Sequence, residues 1–284
     1  MSKLRVGIDL RGSAILLVRA DCGSGAATIT ALGKYSEGEK VPAGVLAEAV
    51  VTMGIPDPQT QTKIVQVCAV GAEHQSTAAR FETTAGLLDA DTNFAVTVLP
   101  VGLPPSGNDP TQWLGMAVRK ARLQSAAARW LGNTPADPSP GFLARGVALG
   151  QGYMHFCEAE PGESTVICDL GPEHTAICFL KTGSIAGTAT LRPLPIRSLG
   201  ESAIREWVSE LETLIRYRTI GGSTPPARSS LVLAGERVGE ADNLQKQFDR
   251  PCSVARLRPE YLRSEAGGVG LSVDWLVALG LTVN

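Results

Sequence analysis

The chain has 284 residues, 44% of them hydrophobic, with 26 basic against 28 acidic side chains. That length allows one large domain or two smaller ones, each with its own core. The balanced charge excludes a nucleic-acid-binding surface, which needs a basic excess or stripe, and three histidines (His74, His155, His174) exclude a histidine-rich zinc site.

The N-terminal stretch LRVGID predicts a short strand ending on Asp9. Gly12-Ser13 supplies a turn, Ala14 to Ala20 a returning strand, and Ala26 to Leu32 a third. Val41 to Met53 predicts a helix, with Val45, Leu46, Ala49 and Val50 on one face, broken at Gly54-Ile55-Pro56-Asp57-Pro58. A strand is expected over Lys63–Val70, a helix over His74–Leu88 and a strand over Phe94–Val101. Leu103–Pro110 reads as a loop, and Asp109 or Thr111 can cap a long helix running to Gly132. That helix would turn Trp113, Met116, Ala117, Leu123, Ala127 and Trp130 inward. Asn133–Gly141, rich in Pro and Ser, is the best internal boundary, followed by a short helix over Phe142–Leu149.

The second half opens on STVICDLGPEHTAICFLKTGSIAG. The run Val166-Ile167-Cys168 ends on Asp169, Gly171-Pro172-Glu173 turns the chain, and Thr175 to Leu180 returns as a strand. Lys181-Thr182-Gly183-Ser184 is a hairpin signal, and a third strand starts at Ile185. Arg197–Gly200 is a loop. Glu201–Tyr217 is the clearest helix, with Ile204, Trp207, Val208, Leu211, Leu214 and Ile215 at helical spacing, and Gly221–Pro226 ends it. Ser230–Ala234 reads as a buried strand running into Gly235. A helix over Gly239–Phe248, a strand over Cys252–Leu257 and a helix over Gly268–Leu281 complete the chain. Strands and helices mix throughout, so the class is α/β.

Both halves therefore repeat one plan: strand, Asp, glycine turn, strand, turn, strand. Two such units in one chain suggest an internal duplication. A strand end carries its Asp out of the core, and a following glycine lets backbone N–H groups approach an anion. An ordinary solvent-facing hairpin is the plain alternative. His174 reads either as a ligand contact or as an exposed turn residue, and Trp113, Trp130 and Trp207 as core rather than a stacking platform. The cysteines, Cys22, Cys68, Cys157, Cys168, Cys178 and Cys252, include no C-x-x-C pair and read as small buried hydrophobes in a reducing compartment. No signal segment or membrane span is visible, which points to a soluble cytoplasmic protein with no direct membrane insertion.

Asp9 with Gly12-Ser13, Asp169 with Gly171 and Thr175, and the step LVLAG ending at Gly235 together resemble the actin-like ATPase superfamily. Within it the chain looks most like PilM-type proteins of type IV pilus and type II secretion platforms, relatives of FtsA. DLGPEHT matches the group's D-x-G-x-x-x-T pattern, and Glu201–Tyr217, LVLAG and VALGL follow in the same order. The resemblance covers the first twenty residues and everything from Ser164 onward, and is loose over 35–140. It implies duplicated ribonuclease H-like domains around a central cleft. The halves would be residues 1–140 and 141–284, with a reduced 1C-like insert at about 57–132.

It further implies that Asp9, Gly12, Ser13, Asp169, Gly171, Thr175 and Gly235 hold ATP, with Asp9 and Asp169 carrying Mg²⁺ through water. In the family the first turn reads D-x-G and then Ser or Thr; here Arg11 takes the glycine position. Gly235 is followed by Glu236-Arg237, and no acid near Phe142–Leu149 is placed to orient water. Weak or degenerate ATP binding is therefore expected, with little or no hydrolysis. The implied partners are the cytoplasmic segment of an inner-membrane pilus or secretion protein, an assembly ATPase motor, and further copies of the chain, with peripheral recruitment to the membrane. An active ATPase or small-molecule kinase is the alternative, with Asp57, Asp89 or Asp91 as candidate base; an unrelated α/β domain with structural hairpins is the third reading. Gly267-Gly268-Val269-Gly270 carries only a weak phosphate signal.

Overall fold

The computed structural model describes residues 3–23, 27–68, 72–101, 111–132, 140–159, 164–195, 200–220, 229–240, 244–262 and 271–283. The expectations for Leu103–Pro110, 133–139, 197–199, Gly221–Pro226 and Gly267–Gly270 lie outside these residues.

The strands are β1 (Leu4–Arg11), β2 (Ala14–Asp21), β3 (Thr28–Ser36), β4 (Val50–Ile55), β5 (Thr60–Val67), β6 (Phe94–Val101), β7 (Thr111–Arg119), β8 (Gly141–Ala144), β9 (Ser164–Leu170), β10 (Thr175–Lys181), β11 (Ser184–Leu191), β12 (Ser230–Ala234) and β13 (Cys252–Val254). The helices are α1 (Ala43–Leu46), α2 (Ala72–Thr84), α3 (Ala90–Asn93), α4 (Lys120–Leu131), α5 (Arg145–Phe156), α6 (Glu201–Ile220), α7 (Pro259–Leu262) and α8 (Leu276–Gly280). They build two five-stranded sheets of identical plan, β3-β2-β1-β4-β8 and β11-β10-β9-β12-β13. In each, an antiparallel meander is extended by a parallel strand beside the first. The duplication expected from the sequence is thus present.

The turns follow from their residues. Between β1 and β2 only Gly12 has positive φ, +56°, the type II′ pattern with glycine first. Between β10 and β11 both Thr182 and Gly183 have positive φ, the type I′ pattern. Strands β1, β9 and β12 lie inside their sheets, with helices or a neighbouring layer on both faces, so they read as apolar runs rather than alternations.

Helix α6 lays Trp207, Val208, Leu211 and Ile215 on Val166, Cys168, Leu231 and Leu233 of the second sheet. The Trp207 indole N–H donates to the Arg192 carbonyl (3.0 Å), so its burial leaves no unmet donor. Helix α5 is buried over most of its circumference and lies between the sheets against α8. The crossing is close because it is made by glycines. A Cβ at Gly152 would fall 2.0 Å from the Leu276 carbonyl oxygen, and one at Gly280 would fall 1.8 Å from that of Ala148.

Several expected helices are corrected. Val50–Ile55 is not the end of a helix but β4, parallel to β1, and only Ala43–Leu46 is helical. The long helix expected from Thr111 is β7 running directly into α4. Trp113, Met116 and Ala117 are therefore strand residues, while Leu123 and Trp130 are buried on α4. Phe142–Leu149 divides into β8 and the start of α5. The helix expected over Gly239–Phe248 crosses residues outside those described, and within the one expected over Gly268–Leu281 the described residues form a 3-10 turn, Val273–Trp275, leading into the short α8. β8 closes the first sheet on β4, so the chain passes to the second sheet through α5.

Between β4 and β8 the chain forms a three-stranded antiparallel sheet, β5-β7-β6, covered by α2. Gly115 of β7 lets α2 approach; a Cβ there would fall 1.9 Å from Thr83 Oγ1. The Thr83 hydroxyl is satisfied by the Ala79 carbonyl (2.6 Å). The cysteines are free thiols; Cys157, Cys168 and Cys178 are buried, but Cys68 is exposed, against the expectation that all serve as core residues.

Candidate functional site

The duplicated strands β1 and β9 aim equivalent acids at one point. Asp9 stands beside Gly54 of β4, and Asp169 beside Ala234 of β12, at matching positions of the two sheets. Both carboxylates are fully buried. Two arginines join them. Arg145, the first residue of α5, donates from Nε to Asp9 Oδ1 (2.6 Å) and from Nη2 to Asp169 Oδ2 (2.5 Å) and Asp9 Oδ2 (3.3 Å). Arg11, at the end of β1, donates from Nε to Asp9 Oδ2 (2.6 Å) and from Nη2 to the Asp274 carbonyl (2.7 Å). Its Nη2 also lies 3.6 Å from Asp169 Oδ1. Two carboxylates thus face two guanidiniums at a point that water does not reach.

The titration behaviour follows from this pairing. Burial alone would raise the Asp9 pKa, but the charges of Arg145 and Arg11 and their hydrogen bonds hold it below the usual carboxylate value. Burial likewise opposes charge on Arg11 and Arg145, and the paired acids more than reverse this. Arg145 Nη1 lies 3.0 Å from His174 Nε2. A guanidinium only donates, so Nε2 accepts and the imidazole proton sits on Nδ1. Burial, and then the Arg145 charge, push the His174 pKa below its ordinary value. His174 is thus a half-buried partner of the arginine rather than an exposed turn residue.

The other expected residues gather at the same place. Gly12 lies under the second turn: a Cβ there would fall 1.8 Å from Glu173 Oε1. Ser13 is exposed, and its carbonyl accepts from the Glu37 N–H (2.8 Å). Gly171 is buried, and its N–H donates to the Asp169 carbonyl (3.0 Å). Thr175 is fully buried, with no hydrogen-bond partner for Oγ1 in the structure. Gly235, at φ +97°, lies against β9; a Cβ there would fall 2.3 Å from Asp169 Oδ1 and 2.7 Å from the Leu170 nitrogen. Glu236 is partnered: Lys34 Nζ lies 2.8 Å and Arg11 Nη1 3.8 Å from its carboxylate oxygens.

Asp57 accepts from the Gly146 N–H (3.0 Å) in the first turn of α5, where a carboxylate complements the helix dipole. It therefore caps the helix that carries Arg145. Burial pushes its pKa up to about 6, against the Gly146 hydrogen bond and the Arg145 charge. Asp89 is exposed in the turn after α2, and the Asp91 side chain lies outside the described residues. Arg145 is the functional residue that sequence reasoning missed. Its signal was a lone charge inside the apolar run FLARGVALG, which burial obliges to find a partner.

These residues do not fit a nucleotide with its metal. Three of the four carboxylate oxygens that would carry Mg²⁺ through water accept from guanidiniums at 2.5–2.6 Å. The fourth, Asp169 Oδ1, accepts no hydrogen bond but has Arg11 Nη2 3.6 Å away, so a divalent cation there would meet two positive charges. Glu173 covers the glycine that would open the first turn to phosphate. Among the described residues no group of three His, Cys, Asp or Glu side chains converges to hold a metal ion.

No protein-family model matches the chain, and no curated protein matches it in sequence. Solved structures do. A chain of a "PilM-PilN type IV pilus biogenesis complex" is 17% identical over 98% of this chain and 97% of that one, at a TM-score of 0.63. A Bacteroides thetaiotaomicron protein with an actin-like ATPase fold is 10% identical over 89% and 90%, at 0.49. The cytoplasmic domain of EpsL, an inner-membrane component of the Vibrio cholerae type II secretion system, is 10% identical over 99% and 96%, at 0.48. The chain has the actin-like ATPase fold, with its two sheets joined where a ligand cleft would otherwise open.

Proposed function

We propose that this chain is a cytoplasmic actin-like scaffold of a type IV pilus or type II secretion-like inner-membrane platform, with a degenerate nucleotide site. In this role it docks the cytoplasmic segment of a membrane partner and links it to an assembly motor. The observation that carries the reading is the match, across nearly the full length of both chains, to the chain from a PilM–PilN complex. No helix among the described residues is long and apolar enough to cross a membrane, so recruitment would run through the partner. We take the halves to divide at α5, just past the 140/141 boundary, with the β5-β7-β6 unit as the insert at 57–132.

A groove of about 690 Å³ supports the docking part. It runs between α4 and β6 and is lined by Val96, Leu123, Ala127, Ala128, Leu131 and Phe142, among others, with Arg80 and Lys120 adding positive charge. Ala95, Val96 and Thr97 all border it. Consecutive strand residues point to opposite faces, so the edge of β6 forms this wall. β6 is an edge strand, and an extended segment can pair with its outward backbone groups while apolar side chains enter the groove.

The test is a pull-down with the chain as bait against the cytoplasmic segments of pilus and secretion membrane proteins from the same genome. Capture of one such segment is expected. Recovery of soluble metabolic enzymes alone would sink the reading. The kinase or ATPase alternative ranks second, because Asp57 is committed to the Gly146 N–H and Asp9 to two guanidiniums.

A further inference from the structure

We propose that Arg145 and Arg11 form a resident cationic clasp that replaces both metal and nucleotide, so the cleft holds its two halves closed without a ligand and takes up neither divalent cation nor nucleoside triphosphate. The inference is independent of the docking reading: a chain with no membrane partner would behave the same way.

Three observations carry it. First, Arg145 spans the acids of both sheets, contacting Asp9 of β1 and Asp169 of β9 from a side chain that is itself almost fully buried. A bridging position between two carboxylates is where a divalent ion would sit, and the guanidinium fills it with fixed planar geometry. Second, charge closes inside the cluster. Asp9 and Asp169 give two negative charges, Arg11 and Arg145 two positive ones, so an added cation or polyanion would find no net opposite charge to offset its desolvation in a dry site. Third, the clasp is tied to the scaffold on every side. Arg11 reaches the Asp274 carbonyl just before α8, and Arg145 reaches His174 in the second turn. Asp57 holds the first turn of α5, and Glu173 lies over Gly12, so the two turns touch. The same side chains that block the ligand therefore join the halves.

The experiment is a thermal-unfolding series on the full chain with Mn²⁺ alone or with Mg²⁺-ATP, each at millimolar concentration. For wild type the expected shift in Tm is below about 1 °C with either, since a ligand that binds the folded state raises Tm. Arg145→Ala leaves buried acids unpaired and is expected to lower Tm by roughly 6–10 °C. Mn²⁺ should then recover part of that loss, because the freed carboxylates can share a divalent ion. Should Arg145→Ala fail to fold, Arg145→Lys keeps one charge but cannot reach Asp9, Asp169 and His174 together, and a drop of several degrees is expected. A wild-type Tm that rises with Mn²⁺ or Mg²⁺-ATP, with the rise lost in Asp169→Asn, would overturn the clasp. So would an Arg145→Lys protein, or a folded Arg145→Ala protein, with wild-type Tm.

Discussion

The cleft between the two five-stranded sheets and the groove between α4 and β6 are built on opposite principles. In the cleft, charged side chains are buried and paired with one another, and the turns that could open toward a phosphate touch each other. In the groove, apolar side chains and an edge strand face open space. The first region has its partners within the chain; the second is the surface proposed to take one from outside it. A buried ion pair is weak evidence of net stability but costs much when half of it is removed, whereas an open apolar wall costs little to alter until something binds it. The two regions should therefore separate by experiment into one that governs stability and one that governs recognition.

The largest effect is expected in the cleft. Asp9→Ala leaves Arg11 and Arg145 buried without their shared carboxylate, and the loss, read by urea unfolding, should be about 3–5 kcal/mol. Partner affinity should hold wherever the variant is folded. An unchanged midpoint would show that the cluster does not join the halves.

The groove should show the reverse. Ala128 is exposed on α4 and lines the groove, so Ala128→Arg should change stability by no more than about 0.5 kcal/mol while weakening partner binding at least tenfold, about 1.4 kcal/mol. Equal affinity for both proteins would place the docking surface elsewhere.

Acid titration sharpens the comparison within the cleft itself. Asp9 is depressed, so its stabilisation is present above the unfolded carboxylate value of about 3.9 and is lost as pH falls through its folded pKa. Asp57 runs the other way. Its folded pKa of about 6 lies above the unfolded value, so its contribution is most favourable in acid and is lost as pH rises through about 6. The Tm of Asp57→Asn relative to wild type should therefore rise between pH 4 and pH 7. A flat difference would mean that Asp57 ionises normally.

The smallest effect is expected at the solvent end of the same charge network. Lys34 and Glu236 are both substantially exposed, and Lys34→Ala should cost no more than about 1 kcal/mol, diminishing with added salt. A loss as large as that of Asp9→Ala would blur the contrast between paired charges inside and outside.

The sequence makes local features legible. Both meanders could be read because strand, acid, glycine turn and returning strand lie within some twenty residues, as in LRVGIDLRGSAILL and STVICDLGPEHTAICFL. Helix α6 was equally clear from its apolar spacing. Misreadings came where one element runs into the next without a turn residue. β7 passes into α4 at Arg119-Lys120, and β8 into α5 at Ala144-Arg145, and neither Arg119 nor Ala144 caps the helix it precedes with its own side chain. β4 was taken for helix because a short apolar strand inside a sheet carries no alternation. The acids of the cleft were visible as a pair, and Arg11 as an intruder at a glycine position. Arg145 was not, because its partners lie 136 and 24 positions away and nothing local announces them.

The most direct measurement is an anisotropy titration of the cytoplasmic segment of a single-span pilus or secretion membrane protein, as a labelled peptide, against wild type and Ala128→Arg, each with and without Mg²⁺-ATP. The account predicts saturable binding to wild type, the same Kd in either buffer, and a loss of at least tenfold in the variant. Binding that requires Mg²⁺-ATP, or that is indifferent to Ala128→Arg, would contradict it.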